Sequence, residues 1–554
     1  MTEVVADPRP LAAVLSSAVA IVLIIASHRR PNVRESWSVL AALAKFGIIA
    51  SMLPGVLDGT EYRWSMGSLV AGTPAEGIEF ALRADPLGML FALLASLLWV
   101  FTAFYATGYM RGLDEKAQTR FFAAFAASLS TAVGVAFAEN LLTIFVFYEL
   151  LSVATYPLVA HDEDEEARAA GRKYLAYTFF GGGVLVLAGT AMVFVLTGTT
   201  TFGETGAALA NADPALARAT FALLATGFGV KAGLMPLHSW LPDAMVAPTP
   251  VSGLLHAVAV VKSGVFGITR LVLDVYGPGV VGDFGLGLPL AAVAAFTLTA
   301  ASVIALRQDR LKRRLAYSTV SQLSYIVLGL AILGPTAIKG GLLHIPAHAF
   351  MKLTLFFCAG IIHVETHTDY ISEMDGIGKR MPLTMAAFAV AAAGMAGIPL
   401  IAGFVSKWFL LIGAVEANQA VFAVVLLVSG ILNIAYFWPI VYGAFFESHD
   451  AADDKPVVEG PLGGQPGDTS VVADGGDHAG QHPPDEHADD HASAHHGGPG
   501  PGGWDRVSWT GEEGSWLMLG PILAIAAGAV VLGVIPYEVG FLELIELVVA
   551  EVAG

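Results

Sequence analysis

The sequence predicts an all-α integral membrane protein of about fourteen transmembrane helices, several of them broken. Three observations carry this. The 554 residues are 55% hydrophobic and 14% charged, with a mean hydropathy of +0.66, whereas a water-soluble chain carries charge on about a quarter of its residues. Apolar runs long enough to cross a hydrocarbon core of roughly 30 Å recur along the whole chain. Lys and Arg gather in alternate loops between those runs. Soluble enzyme classes are therefore excluded. A single cysteine, Cys358, excludes an internal disulfide and a cysteine-ligated iron–sulfur cluster. The sequence predicts no cofactor, no metal site and no catalytic centre of its own.

Taken in order, the predicted spans lie near 11–28, 37–55, 86–108, 121–138, 140–160, 174–197, 217–237, 249–273, 285–306, 315–333, 338–363, 382–413, 419–446 and 515–535. Each is read as helical, because an open strand edge cannot be satisfied in lipid and none shows the alternation of a membrane barrel. The acidic front of the first span and the basic cluster behind it fit an uncleaved helix better than a signal peptide.

Basic residues accumulate at Arg29, Arg30 and Arg34, at Arg111, Lys116 and Arg120, and at Arg168, Arg172 and Lys173. Further on they recur at Arg307, Arg310, Lys312, Arg313 and Arg314, then at Lys379 and Arg380. Such loops face the cytoplasm, which predicts a cell-membrane protein with both termini outside. The segment 448–513 holds fourteen acidic residues against Lys455 and Arg506, with histidines at 478, 482, 487, 491, 495 and 496. It has too few apolar residues to offset the entropy of ordering and is expected to be a disordered cytoplasmic loop. It reads first as a solvated acidic spacer, with proton or metal buffering by its histidines as the alternative. The acidic balance makes nucleic acid an unexpected partner.

Ionisable side chains inside apolar spans mark a pathway by default, because burying a charge costs several kcal/mol by most estimates. Here they are Glu149 in FVFYELLS, Lys231 in GFGVKAGLMPLHSW, His256 and Lys262 in SGLLHAVAVVKSGVFG, His348 and Lys352 in LLHIPAHAFMKLTLFF, and Lys407 in GIPLIAGFVSKWFL. Burial disfavours the charged form of each and pairing opposes that, so such a set can relay protons where water connects its members. A static Glu149–Lys231 ion pair that only locks packing is the alternative. His344, His348 and Lys352 recur every four residues and so share one helical stripe, with Pro346 removing a backbone donor in the same turn. This predicts a broken helix beside a hydrated channel. The HxxxH spacing has no carboxylate to complete a metal site. His363, Glu365 and His367 read as solvated end residues.

Two more interruptions fall at 236–250, with Pro236, Pro242, Pro248 and Pro250 around His238 and Asp243, and at Gly397–Pro399 ahead of Lys407. Lys231 and Lys407, each beside a break, lie roughly 175 residues and five spans apart, the relation expected of inverted repeats. The glycines of GFGVKAG and FFGGGVLVLAG lack the strand–turn–helix setting of phosphate loops and are read as sites of close helix approach.

These residues resemble the antiporter-like subunits shared by respiratory complex I, membrane-bound hydrogenases and Mrp-type multisubunit cation/proton antiporters. The likeness runs from about Asp85 to Phe446, through ADPLGMLF, FYELLSVATYPL, KAGLMPLHSWLPDAMVAPTPVSGLLHA, LKRRLAYSTVSQLSYI, LLHIPAHAFMKLTLFFCAG and GIPLIAGFVSKWFL. It implies two inverted five-helix repeats, at 121–273 and 285–446, after three helices in 1–120 and before the loop 447–514 and a last helix and tail in 515–554. It also implies a relay of Glu149, Lys231, His256, Lys262, His344, His348, Lys352 and Lys407. In that picture Glu149 tunes Lys231, His256 bridges, the histidines and water join half-channels, His344, His348 and Lys352 belong to a broken eleventh helix, and Lys407 exchanges a proton with the outer side.

Only about twenty residues follow position 535, which disfavours the subunit type with a long lateral helix. Lysine at 407 disfavours the type with glutamate there. The look that remains is the D-type subunit of a Mrp-type Na+/H+ antiporter, with other membrane subunits, H+, Na+ and lipid as partners. The alternatives are a proton-pumping subunit of a complex I-like or hydrogenase-like redox complex, the energising subunit of an inorganic carbon transporter, and a scaffold whose buried charges only specify packing.

Overall fold

Helix starts follow local chemistry. Asp85, Asn140 and Asp164 each accept a hydrogen bond from the backbone N–H three residues on, at 2.7, 2.8 and 2.6 Å, the reach of a side chain capping a helix N-terminus. Proline, which has no N–H to lose in the first turn, opens many of the others. The computed structural model describes residues 3–68, 79–448, 504, 506, 509, 513–537 and 540–553.

In chain order, α1 (Arg9–Ala26), α2 (Pro31–Ala50) and the short α3 (Leu53–Leu57) precede α4 (Pro86–Gly112), α5 (Gln118–Ala136) and α6 (Leu141–Val159). Next, α7 (Glu165–Leu175) runs through a π-helical stretch, Ala176–Gly183, into α8 (Val184–Thr197), and α9 (Gly206–Ala210) leads to α10 (Pro214–Ala232). That helix stops at Gly233 with φ of +70°, where glycine carries no Cβ penalty. The short α11 (Trp240–Asp243) and α12 (Thr249–Gly253) then lead by a π turn, Leu254–Val258, into α13 (Val260–Arg270). A third π stretch, Leu271–Tyr276, ends it before α14 (Pro278–Asp283). The rest comprises α15 (Gly287–Ala305), α16 (Leu311–Ala331), α17 (Pro335–Thr366), α18 (Pro382–Ala396), α19 (Ala402–Glu416), α20 (Ala420–Phe446), α21 (Trp516–Val534) and α22 (Phe541–Ala553).

Eleven stretches of the described residues are helical, long and apolar enough to cross a membrane. Two of them, Thr249–Tyr276 and Pro335–Thr366, are buried throughout their apolar windows, against 33% for α1. The two spans richest in His and Lys are therefore the bundle's innermost and are shielded from lipid by the others. On the outside, Val421, Val424, Leu427, Ile431 and Ile434 form an exposed apolar row along α20, where hydrocarbon replaces water as the neighbour.

Three departures from the sequence reading have physical causes. The chain is mostly helical, but a small sheet joins β1 (Glu3–Ala6), β2 (Thr60–Ser68) and β3 (Glu79–Ala84), with β1 parallel and β3 antiparallel to β2. These segments are too short to stand out between long apolar runs. The predicted breaks near 236–250 and 397–399 are present, whereas the helix containing Pro346 is unbroken. The long helix absorbs the one N–H missing at Pro346, which would have served the Leu342 carbonyl, and Lys262 enters the neighbouring turn to donate to the Ile345 carbonyl at 3.1 Å. The residues after 535 include α22, which packs against α4 and α17 and is tied down by a Lys339–Glu546 ion pair of 2.6 Å. The predicted acidic loop falls largely on 449–503, outside the described residues.

Candidate functional site

The row of buried ionisable groups begins on α6. Glu149 faces the π-helical stretch, where its carboxyl group lies against Gly183: a Cβ on that glycine would come within 2.5 Å of Glu149 Cδ. A π turn widens the helix and recurs at functional positions. The glycine run of FFGGGVLVLAG thus lets a carboxylate approach as well as a helix. Glu149 Oε1 is buried and accepts no hydrogen bond. Lys231, in the last turn of α10, donates to the Tyr148 carbonyl and lies 3.3 Å from the Tyr148 ring centroid, a desolvated cation–π contact. Glu149 and Lys231 therefore share Tyr148 as a neighbour instead of closing on each other.

At the centre, the π turn before α13 holds His256 against Phe356, with ring centroids 4.8 Å apart and both imidazole nitrogens unpartnered. On α13 itself, Lys262 Nζ lies 3.1 Å from His348 Nδ1. An ammonium only donates, so His348 Nδ1 accepts and its proton sits on Nε2, which has no protein partner. One turn earlier, His344 bonds Ser406 Oγ at 2.8 Å and Gln322 Oε1 at 2.9 Å. Its ring stacks on Tyr325 at 5.4 Å.

At the far end of the stripe, Lys352 donates to the Leu315 carbonyl at 3.1 Å and to Ser318 Oγ. Lys407 donates to the Met395 carbonyl and lies 5.0 Å from the Tyr325 ring centroid. That carbonyl belongs to the last turn of α18, which Gly397 ends with φ of +92°, so it has lost its intrahelical partner and adds negative charge where the cation sits. Asn433 Nδ2 shares it at 3.2 Å, and Tyr436 OH donates to Asn433 Oδ1 at 2.5 Å. All eight predicted residues are thus found on the inner helices or on faces turned toward them. Lys262, His348 and His344 form one cluster, and the Tyr325 ring lies near both His344 and Lys407. Glu149 with Lys231 is a separate pair, and Lys352 faces α16.

Sequence reasoning missed the polar partners. Ser318, Gln322 and Tyr325 share one face of α16 at spacings of three and four, and that periodicity was present in LKRRLAYSTVSQLSYI. It also missed Lys45, a fully buried lysine on α2 that donates to the Leu129 carbonyl at 3.2 Å. Nothing but its place in an apolar run marked it.

The arrangement brings proton donors and acceptors within reach of one another, Lys262 and His348 most closely. Among the described residues, its four lysines have only neutral hydrogen-bond partners, and two imidazoles keep a nitrogen without one.

Two family models match the chain. One described as "NADH:quinone oxidoreductase/Mrp antiporter, TM" covers residues 138–433, and one described as "NADH-Ubiquinone oxidoreductase (complex I), chain 5 N-terminus" covers 74–122. NADH-quinone oxidoreductase subunit N of Desulforudis audaxviator is 34% identical over 394 residues, which are 70% of this chain and 77% of that one. The A/B subunit of a probable K(+)/H(+) antiporter from Rhizobium meliloti is 33% identical over 73% of this chain, which spans only 40% of that protein's length. Among solved structures, a chain of the Mrp complex from Dietzia sp. superposes with a TM-score of 0.77 over 98% of this chain and 96% of its own, at 22% identity.

Proposed function

The chain belongs to the NADH:quinone oxidoreductase/Mrp antiporter family, and from that premise we propose that it is a proton-translocating membrane subunit of a multisubunit monovalent cation/proton antiporter. The observation that carries the reading is the set of buried lysines and histidines on α10, on α13 with the π turn before it and on α17, together with the half-buried Lys407 on α19; among the described residues their hydrogen-bond partners are neutral, and Glu149 supplies the nearby carboxylate. A static packing device would close its charges into ion pairs, as Arg270 does with Asp85 at 2.6 Å and Asp274 at 2.8 Å in this same protein. Cations left without counter-charge are the ones that gain by releasing a proton.

On this reading Glu149 biases the protonation of Lys231 across Tyr148. His256, Lys262 and His348 carry the proton through the centre, Lys352 branches toward α16, and His344 with Tyr325 leads to Lys407, which exchanges with the outer side. Counting α10 with α11, α16, and the α18–α19 pair with the eleven long apolar stretches gives fourteen spans. Residues 121–273 and 285–446 then form two inverted five-helix repeats, flanked by 1–120, the loop 447–514 and 515–554. Both termini lie outside the cell, the partners are other membrane subunits, and the chain is of the D type.

The likeness to the Desulforudis oxidoreductase protein favours a second reading, a pumping subunit of a quinone-linked redox complex. Proton transport into vesicles holding the whole complex separates the two. Antiport gives a pH change that follows an imposed Na+ or K+ gradient without an electron donor; dependence on an electron donor and none on the cation selects the redox reading.

A further inference from the structure

On the face where α4 meets α5 and α6 meets α7, two tight loops come together away from the relay. Asp114 and Ala117 take left-handed φ of 48° and 50°, and Glu163 takes 59°, conformations that non-glycine residues adopt only when their surroundings impose them. Arg120 ties the loops together, donating to the His161 carbonyl at 2.6 Å and pairing with Glu163, so its charge is already engaged. The Phe121 ring meets that of His161 edge-on at 5.6 Å. His161 is consequently only 4% exposed, yet neither of its ring nitrogens has a hydrogen-bond partner among the described residues.

A polar group buried without a partner loses its hydration and gains nothing in return, so such an imidazole needs a ligand to complete it. His161 Nε2 is 4.0 Å from Glu115 Oε2. One donor atom each from Glu115, His161 and Asp162 lie within 4.8 Å of one another. Glu115 and Asp162 also line a cleft of about 570 Å³ that opens to solvent, a route for an ion to arrive.

We propose that Glu115, His161 and Asp162 form a binding site for a divalent cation of the Zn2+ class. One imidazole nitrogen with two carboxylates matches the mixed donors of a borderline transition metal, with remaining positions open to water. Magnesium and calcium would call for oxygen donors alone. An ion held there joins the α4–α5 loop to the end of α6, the helix that carries Glu149.

The test is Zn2+ titration of the purified whole complex against a chelating dye. Residues 449–503 hold further histidines, so wild type is compared with His161→Ala and Glu115→Gln in full chains that share them. The expected result is one fewer Zn2+ per chain in His161→Ala and at least about tenfold weaker binding of that ion in Glu115→Gln. Equal stoichiometry and affinity in all three overturns the proposal. If His161→Ala does not assemble, Glu115→Gln, a half-buried loop change, decides between the same two results.

Discussion

Lys262 Nζ and His348 Nδ1 lie 3.1 Å apart on the two innermost spans, and the same ammonium holds the Ile345 carbonyl one residue before Pro346. Removing the lysine leaves the buried His348 nitrogen without its donor, at about 1–3 kcal/mol. Lys262→Met is expected to lower ion-driven proton transport by at least about tenfold while the complex still assembles, and to lower its melting temperature. Transport assays and thermal melts on the same preparation check both.

Gly183 admits the Glu149 carboxyl group, and Gly181 does not: a Cβ on Gly181 meets only the Ala176 carbonyl at 3.4 Å, an ordinary contact. Gly183→Ala is expected to displace Glu149 and reduce transport by about tenfold or more, whereas Gly181→Ala stays within twofold. Both are single methyl additions to the same π-helical stretch, so their contrast isolates the carboxylate contact from helix propensity.

The Tyr325 ring stacks on His344 at 5.4 Å and lies 5.0 Å from Lys407 Nζ, and its hydroxyl has no hydrogen-bond partner among the described residues. Tyr325→Phe keeps the ring and is expected to transport nearly as wild type. Tyr325→Leu removes the aromatic face and is expected to slow transport severalfold, read as initial rates in vesicles.

Asp85 caps α4 and binds Arg270. Burial acts to raise its pKa, and the guanidinium of Arg270, with Arg83 and the Gly88 N–H, overcomes this and holds the carboxyl below the usual carboxylate range. A depressed folded-state pKa contributes stability above the unfolded value of about 4 and loses it as pH falls through the folded value. Asp85→Asn is expected to destabilise by about 3 kcal/mol near pH 7, the low end for a broken buried pair because Arg270 keeps Asp274. The gap to wild type should persist at pH 5 and close below about pH 4 in melts of the assembled complex.

Much of this was legible because lipid makes a polar residue conspicuous. Glu149, Lys231 and Lys262 stood out as charges in apolar runs, and Gly397 with Pro399 announced the end of α18. Pro346 misled, since one missing N–H is not enough to break a helix packed on all sides, and that packing is not visible in the sequence. Gln322 and Ser406 were hidden because hydroxyls and amides are common in membrane helices, and only packing revealed them as the partners of His344. The sheet was invisible because its strands are brief and lie among loops.

Above all, the relay requires that Glu149 and Lys231 handle the proton. Cation-driven pH change in vesicles holding the whole complex reads this out, with wild type beside Lys231→Ala and Glu149→Gln, each assayed for assembly. Both substitutions are expected to abolish the pH change in fully assembled complexes. Wild-type transport by an assembled Lys231→Ala complex would contradict the relay and return these residues to a packing role.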